Sequence, residues 1–397
     1  MFKSTAIAVD DAGVTADWVA AGWVKRAGRL LLASVLAGVL VSALVMGMTV
    51  AGVGGDAFQP QPAGAAAARK VSAWLVPWDT ARGYKAFTDN ADLYSDLSPF
   101  WYEMRTDGTI ATYEGGGDSS IVSGARSHGV AVLPTITNNF DPARVHTMLA
   151  TPTSRAAHIK ALVDLTVAKS FDGIDIDYES LQASDRTLFS TFVSELASSL
   201  HAQGKKLSVT VHPKTSEPGT WDGPQAQDYA AIGRVSDRVR IMAYDYHWAT
   251  SAAGAVAPLS WVDQVAAFAA SVIPPAKVQL GIPLYGYDWV GSTGTGVTFE
   301  EANSRRAAAG AARQWSSADS SPWFSYTSGG ATHEVWYEDA QSVAAKLAVV
   351  DKYGLAGAAF WRLGGEDAGV WNSARSRWGG TAPADTARTT SLTVPPS

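Results

Sequence analysis

The sequence predicts an α/β protein whose main domain is a closed (β/α)8 barrel of the TIM type. Three observations predict it. Eight short apolar segments alternate with helical stretches between residues 70 and 375. No Gly-rich nucleotide loop follows the first of them, which weakens a doubly wound open sheet, the runner-up. One segment, Phe171-Asp172-Gly173-Ile174-Asp175-Ile176-Asp177-Tyr178-Glu179, carries acids where a core strand should be apolar. Strand ends of such a barrel are where active sites lie.

The totals set limits. The 397 residues, 47% of them hydrophobic, suffice for one large domain or two small ones. A net charge of −6, with no basic run after the first 29 residues, argues against a nucleic-acid partner. The chain has no cysteine, which removes disulfides, thiolate metal sites and cysteine nucleophiles and fits an exported protein. Fifteen Trp are a surplus that suits sugar-ring stacking as well as a core.

Taken in order, residues 1–29 form a cytoplasmic N-terminal segment ending in Lys25, Arg26 and Arg29. Residues 30–53 are apolar and uncharged, long enough to cross a hydrocarbon core of about 30 Å as a helix. We expect a single-pass signal anchor in the cell membrane, with the rest of the chain outside, because the basic residues precede the run. The alternative is a signal peptide, whose core usually runs about 7–15 residues, cleaved near 52–57 to release a secreted protein. Residues 54–69 are rich in Gly, Ala, Pro and Gln and read as a linker.

The barrel domain is expected over 70–377. Its strands are read at 70–78, 97–104, 129–140, 171–179, 207–214, 238–248, 278–289 and 356–362. A helix is expected over 154–168. Ser184 is placed to cap the next one, where Leu188, Phe192, Leu196 and Leu200 recur every fourth residue and Gly204 closes it. Strands seven and eight lie too far apart for a simple loop. A small α+β insertion is expected over 290–338, with a helix over 299–314 and two strands, 323–327 and 332–337, around a Ser-Gly-Gly-Ala turn. The last barrel helix should run over 338–351. Residues 378–397 are rich in Thr, Ala, Pro and Ser and are expected to be disordered.

The acids carry the chemistry. Strand side chains alternate faces, so Asp175, Asp177 and Glu179 share one face while Ile174, Ile176 and Tyr178 take the other. Three carboxyls in a row repel one another and cost desolvation, so fold stability gives no reason for them. Glu179 stands nearest the rim. The charge of Asp177, about 6–7 Å away by the usual strand rise, should raise its pKa as a general acid requires. Asp175 should share a proton or hydrogen bond with Asp177. The competing readings are a buried acid network held for specificity and a hard-metal site. Asp245 and Asp288 form no clear cluster with the row, so we expect neither metal nor cofactor.

The motif Asp172-x-x-Asp175-x-Asp177-x-Glu179 resembles the DxxDxDxE signature of glycoside hydrolase family 18, the chitinase family. Met242-Ala243-Tyr244-Asp245 is similar to its M-x-Y-D motif. Gly281-Ile282-Pro283-Leu284-Tyr285-Gly286-Tyr287 is similar to its seventh strand, and Phe360-Trp361 to the Trp that floors its sugar subsite. The similarity covers about 70–375. Thr137-Asn138-Asn139-Phe140, Asp245-Tyr246-His247-Trp248 and residues 334–339 and 360–367 resemble the spore-germination and cortex-lytic branch, whose enzymes act on peptidoglycan. The S-x-G-G of chitinases is absent, as are LysM wall-binding repeats, in whose place the anchor would hold the domain beside the wall.

The resemblance implies a retaining, substrate-assisted glycosidase in which the substrate's 2-acetamido group is the nucleophile. It makes Glu179 the acid and then the base, Asp177 the group that orients the acetamide, Asp175 the support of Asp177, and Tyr244 a donor to the acetamide carbonyl. Trp361 would stack under the reactive sugar. Met242, Asp245, Asn139, Trp248 and Trp101 are further subsite candidates, while Asp172 and Gly173 are structural parts of the motif. The expected partner is a β-linked N-acetylglucosamine glycan, from peptidoglycan or alternatively chitin, met by a monomer. A sugar-binding protein without activity is the reading from another class, and the presence of Glu179 counts against it.

Overall fold

The computed structural model describes residues 69–379, so the membrane run 30–53, nearly all of the linker and the expected disordered tail from residue 380 onward lie outside the described residues. Among the described residues no helix is long and apolar enough to cross a membrane.

Eight parallel strands close on themselves: β1 (Lys70–Leu75), β2 (Tyr94–Met104), β3 (Thr135–Thr137), β4 (Gly173–Asp177), β5 (Lys206–Val211), β6 (Arg238–Ile241), β7 (Val278–Pro283) and β8 (Gly357–Trp361). Closure is seen in β1, which pairs with both β2 and β8. The doubly wound alternative, an open sheet with two edges, is thereby set aside.

Period-two alternation sorts every stave into two faces. Val209, Val211, Val239 and Ile241 join Ile174 and Ile176 in the hydrophobic core. The other face carries Ser72, Asp96, Ser98, Thr135, Asp175, Ser208, Thr210, Arg240 and Gln279, all essentially without exposure. The interior of the barrel is therefore polar, and it is held by cross-strand bonds. Arg240 donates from Nη2 to Asp96 Oδ1 at 2.5 Å and from Nη1 to Ser98 Oγ at 2.7 Å. Its Nε reaches Gln279 Oε1 at 3.3 Å, and Gln279 passes a bond on to Ser72 Oγ at 2.8 Å. Arg238 adds a second ion pair to Asp96.

Several boundaries differ from the sequence reading, each for a local reason. The helix expected from 154 starts earlier, Pro152–Ala168, because Thr151 caps it in a reciprocal pair with Ser154. Ser184 is not a cap. It lies in the 3-10 turn Ala183–Asp185, and the helix that follows, Arg186–His201, has Asp185 at its cap position with no capping bond. Asp185 bonds His146 Nδ1 at 2.9 Å instead. The helix expected over 299–314 stops as Phe299–Ala308, since Gly310 turns the chain with φ +61 and Gln314–Ser316 enters a strand.

The insertion begins at 285 rather than 290. After β7 the chain leaves the barrel at Leu284, whose N–H donates to the Trp361 carbonyl at 2.7 Å. Tyr285–Val290 then joins a separate antiparallel sheet with Thr293–Thr298, Ala331–Trp336, Ser321–Ser328 and Gln314–Ser316. The expected hairpin around the Gly pair is present, with Ser328 opposite Ala331.

Replacing Arg240 with Leu leaves the buried Asp175 without its cation and Asp96 with Arg238 alone. We expect a loss of about 3–5 kcal/mol, read as a lower urea midpoint for unfolding.

Candidate active site

The C-terminal ends of the staves open into one cleft with a cavity volume of about 500 Å³. Asp177 and Glu179 line it together with Tyr244, Asp245, Met242, Asn139, Trp248 and Trp361. The row of acids thus runs from the closed floor, at Asp175, up to the open cleft, at Glu179.

Asp175 has no exposure, and donors saturate it. Thr135 Oγ1 reaches its Oδ2 at 3.0 Å, and Thr210 Oγ1 lies 3.1 Å from each of its oxygens. Trp74 Nε1 adds a bond to Oδ2 at 3.3 Å, and Arg240 Nη1 pairs with the same oxygen at 3.2 Å. Register supplies one of these neighbours directly, because Thr135 stands opposite Asp175 across the β3–β4 ladder, and it sets Arg240 beside another, opposite Thr210 across β5–β6. The expected hydrogen bond between Asp175 and Asp177 is not among these contacts. Four donors surround Asp175.

Asp177 is the reverse case. It is 5% exposed, and its Oδ1 is buried without a hydrogen-bond partner. Burial, reinforced by the charge of Asp175 and opposed by Arg240, pushes its pKa up to about 8. Glu179 is 9% exposed and is also raised well above the usual carboxylate range, first by burial, then by Asp177 and Asp245. Its backbone is gripped on both sides by Asn138, which accepts from the Glu179 N–H at 2.9 Å and donates to its carbonyl at 2.8 Å.

Tyr244 is buried beside the acids, and its hydroxyl is raised well above its ordinary value by burial and then by Asp177 and Glu179. Gly281 on β7 makes room for it: a Cβ there would come within 3.1 Å of the Tyr244 ring and 2.4 Å of the Ile241 carbonyl. Asp245, with φ 57, turns back to accept from Tyr285 at 2.5 Å and Tyr287 at 3.2 Å, both on the first strand of the insertion. Burial raises Asp245 to about 6 against those two bonds. Among the described residues no three His, Cys, Asp or Glu side chains are placed to hold a metal ion.

Residues 81–366 match the family model for glycosyl hydrolases family 18. The chain belongs to glycosyl hydrolase family 18. It is 34% identical over 285 residues to the Bacillus subtilis protein YdhD, named as a sporulation-specific glycosylase, a match covering 69% of this chain and 67% of that protein. Among solved structures, the spore cortex-lytic enzyme SleL of Bacillus cereus superposes with a TM-score of 0.73 at 26% identity, covering 81% of this chain and 76% of SleL. A chitinase of Chromobacterium violaceum also gives 0.73, at 28% identity, covering 78% of this chain and 98% of that one. The family and its glycosylase relatives make this chain a glycosidase.

One expected subsite residue of the family 18 domain lies elsewhere. Trp101 is 1% exposed and packs on Phe171 with ring centroids 6.1 Å apart, within the hydrophobic core. The register of β2 against β3 shifts between Phe100 and Tyr102, so Phe100 takes the cleft side and Trp101 turns away. Asp172 lies away from the cleft, where its Oδ2 accepts the Val132 N–H at 2.9 Å. Gly173 is required there, since a Cβ would meet the Lys206 carbonyl at 2.2 Å. Asp288 belongs to the insertion, bonded to Arg305, Tyr326 and His333.

Sequence reasoning missed Arg240, Asn138 and His212, and also Trp78, Phe100 and Tyr113 in the cleft wall. A signal existed for the first and third. Ser208-x-Thr210-x-His212 and Arg238-x-Arg240 alternate polar with apolar residues just as the acidic strand does.

The raised Asp177 carboxyl makes stability depend on pH. The folded chain holds a proton that the unfolded chain, with a pKa near 4, gives up. That contribution is complete below about pH 4 and is lost as pH rises toward 8, at no more than about 1.4 kcal/mol per pH unit. Asp177→Asn removes this contribution. We expect the variant to unfold at higher urea than the native chain at pH 7, with the gap closing toward pH 4.

Proposed function

We propose that the chain is a retaining glycoside hydrolase that cleaves β-linked N-acetylglucosamine glycans, those of peptidoglycan in particular, by substrate-assisted catalysis. One observation carries the mechanism: the cleft wall holds a buried, unpartnered carboxyl oxygen, Asp177 Oδ1, next to the rim acid Glu179, whose pKa burial holds well above the usual carboxylate range. An acetamide N–H is the kind of donor such an oxygen lacks.

In the first step Glu179 gives its proton to the glycosidic oxygen and the anomeric C–O bond breaks. The carbonyl oxygen of the sugar's own 2-acetamido group closes on the anomeric carbon from the opposite face, forming an oxazolinium ion. Asp177 accepts the acetamide N–H and stabilises the positive charge, and Tyr244 donates to the acetamide oxygen. Asp175, paired with Arg240, supports Asp177 and balances the charge from below. In the second step Glu179, now a carboxylate, takes a proton from water, which attacks the anomeric carbon and reopens the ring. Two inversions leave the configuration retained. Trp361, edge-on to Trp74 at 5.8 Å and to Phe100 at 5.7 Å, forms the aromatic floor under the reactive sugar.

The relatives named for sporulation and cortex lysis support peptidoglycan as the substrate. The equal structural likeness to a chitinase keeps chitin as the second reading. Mass spectrometry of digests of purified peptidoglycan and of chitin decides between them. We expect fragments with reducing N-acetylglucosamine ends from peptidoglycan, and none from either polymer with Glu179→Gln, which should lower turnover at least 100-fold while still binding glycan. Near-native hydrolysis by that variant would remove Glu179 from the acid role.

The apolar run 30–53 supports a second proposal, that the chain acts as a monomer tethered to the membrane with its barrel facing the wall. Immunoblots of salt-washed membranes from cells expressing the full chain should retain it at full length. A shortened, soluble product would mean that the run is cleaved.

A further inference from the structure

His212, the residue after β5, takes no part in the mechanism above, yet it is 3% exposed and beside the acid. Its backbone is pinned on both sides: the N–H donates to Gln227 Oε1 at 2.7 Å, and the carbonyl accepts from Tyr229 at 2.5 Å. The indole of Trp221 lies against the ring at 4.6 Å between centroids. The ring therefore has little freedom.

Its tautomer is fixed by a backbone group. The Ser180 N–H donates to His212 Nε2 at 3.2 Å, and an amide N–H can only donate. Nε2 must therefore present its lone pair, and a neutral ring must carry its proton on Nδ1. Burial keeps the ring neutral by lowering its pKa to about 3. Nδ1 lies 3.8 Å from Glu179 Oε2. That is beyond hydrogen-bond range in the resting cleft, and catalytic hydrogen bonds commonly tighten only when substrate is bound.

Taken with the reading of Glu179 as general acid, on which it rests, this geometry leads us to infer that His212 is a positioning residue, locked by Ser180 in the Nδ1–H tautomer to donate to Glu179 Oε2. The bond forms as Glu179 loses its proton, because a carboxylate is the stronger acceptor. It holds Oε2 and leaves Oε1 for proton transfer to the leaving oxygen and from water. It also offsets the groups that oppose ionisation of Glu179. Those facing it are Asp177 on its own strand, with Asp245 and Tyr244 from the end of β6. Tyr113, from the wall beyond β2, faces Asp177. Arg240 acts one level lower, on Asp175 and Asp177. His212 is the neutral donor in that ring of acids and phenols.

Three substitutions separate the donor from the bulk of the ring. In His212→Asn the side-chain amide can place an N–H where Nδ1 stood. His212→Gln reaches the place of Nε2 instead, and His212→Phe keeps the volume with no donor. The full chain and each variant are assayed on N-acetylglucosamine oligomers across pH. We expect kcat to fall about tenfold or more in the Gln and Phe variants with KM little changed. Their alkaline limb of kcat/KM should move up by about one pH unit, because the Glu179 anion has lost a donor. The Asn variant should keep the native limb. Native kcat and native limb in both Gln and Phe variants would overturn the inference, as would an Asn variant as impaired as they are. If the Phe variant fails to fold, the native protein still decides: selective 15N-histidine labelling should show His212 as the Nδ1–H tautomer from pH 5 to 8, and an Nε2–H signal would refute it. Native turnover by Glu179→Gln is a different failure, since it would take away the acid itself.

Discussion

A guanidinium with no exposure to solvent, Arg240, sits beneath three carboxyls and makes their row tolerable. Two like charges about 6–7 Å apart, the spacing of alternate strand residues, repel by about 2.5 kcal/mol at an effective dielectric of 20, and burial adds a desolvation cost for each ion. Arg240 settles the question at the deepest carboxyl. It shares its donors between Asp175 and Asp96, while Thr135, Thr210 and Trp74 supply the rest of the shell around Asp175. The two acids above it have no such shell, and their carboxyls are raised from the usual range, first by burial and then by the acid next below each. The stave thus runs from a floor surrounded by donors, at Asp175, to raised carboxyls at the rim.

The same constraint explains why the barrel interior is polar on almost every stave. A cation that donates to β2, β4 and β7 at once requires acceptors at matching heights on strands far apart in sequence, such as Asp96, Asp175 and Gln279. Each of these acceptors needs further partners of its own. Gln279 finds Ser72, and Asp96 finds Ser95 and Arg238. Such a network resists piecemeal change, because removing any member leaves another buried and unpaired.

The acidic row and the barrel were legible because both rest on short-range periodicity. A spacing of two puts Asp175, Asp177 and Glu179 on one face of any strand, whatever its neighbours, and eight apolar segments name the architecture. Arg240 was not legible as their partner, because that pairing depends on register between β4, β5 and β6 rather than on spacing within one segment. Strand ends were also read too long. Asn139, Phe140, Ser180 and Asp245 have φ between 53 and 57, a left-handed turn that stops the strand at the rim. Hydrophobicity carries no trace of such a turn, and backbone of this kind gathers where function demands it. Trp101 leaves the cleft for a related reason, since a single register shift between Phe100 and Tyr102 decides which side of the stave each ring takes, and nothing in the sequence marks it.

The walls of the cleft complete the electrostatics by what they leave out. The segment after β5 brings charged residues close to the site and then neutralises them within the wall. Lys214 is bound by Glu217 at 2.9 Å and by the carbonyls of Pro224 and Gln227, and Arg186 pairs with Glu217 and Asp228. What this and the neighbouring segments offer the cleft is largely aromatic, including Trp221, Trp248, Trp261 and Trp78. Rings of this kind suit sugar faces, and they also exclude water from the acids. Burial is the largest cause of the raised pKa at Asp177, Glu179, Tyr244 and Asp245 alike, ahead of any single neighbouring charge. The aromatic surface that lines the cleft is therefore also what buries these groups and holds their pKa values up, so a substitution in the wall that admits water should bring them back toward their ordinary range.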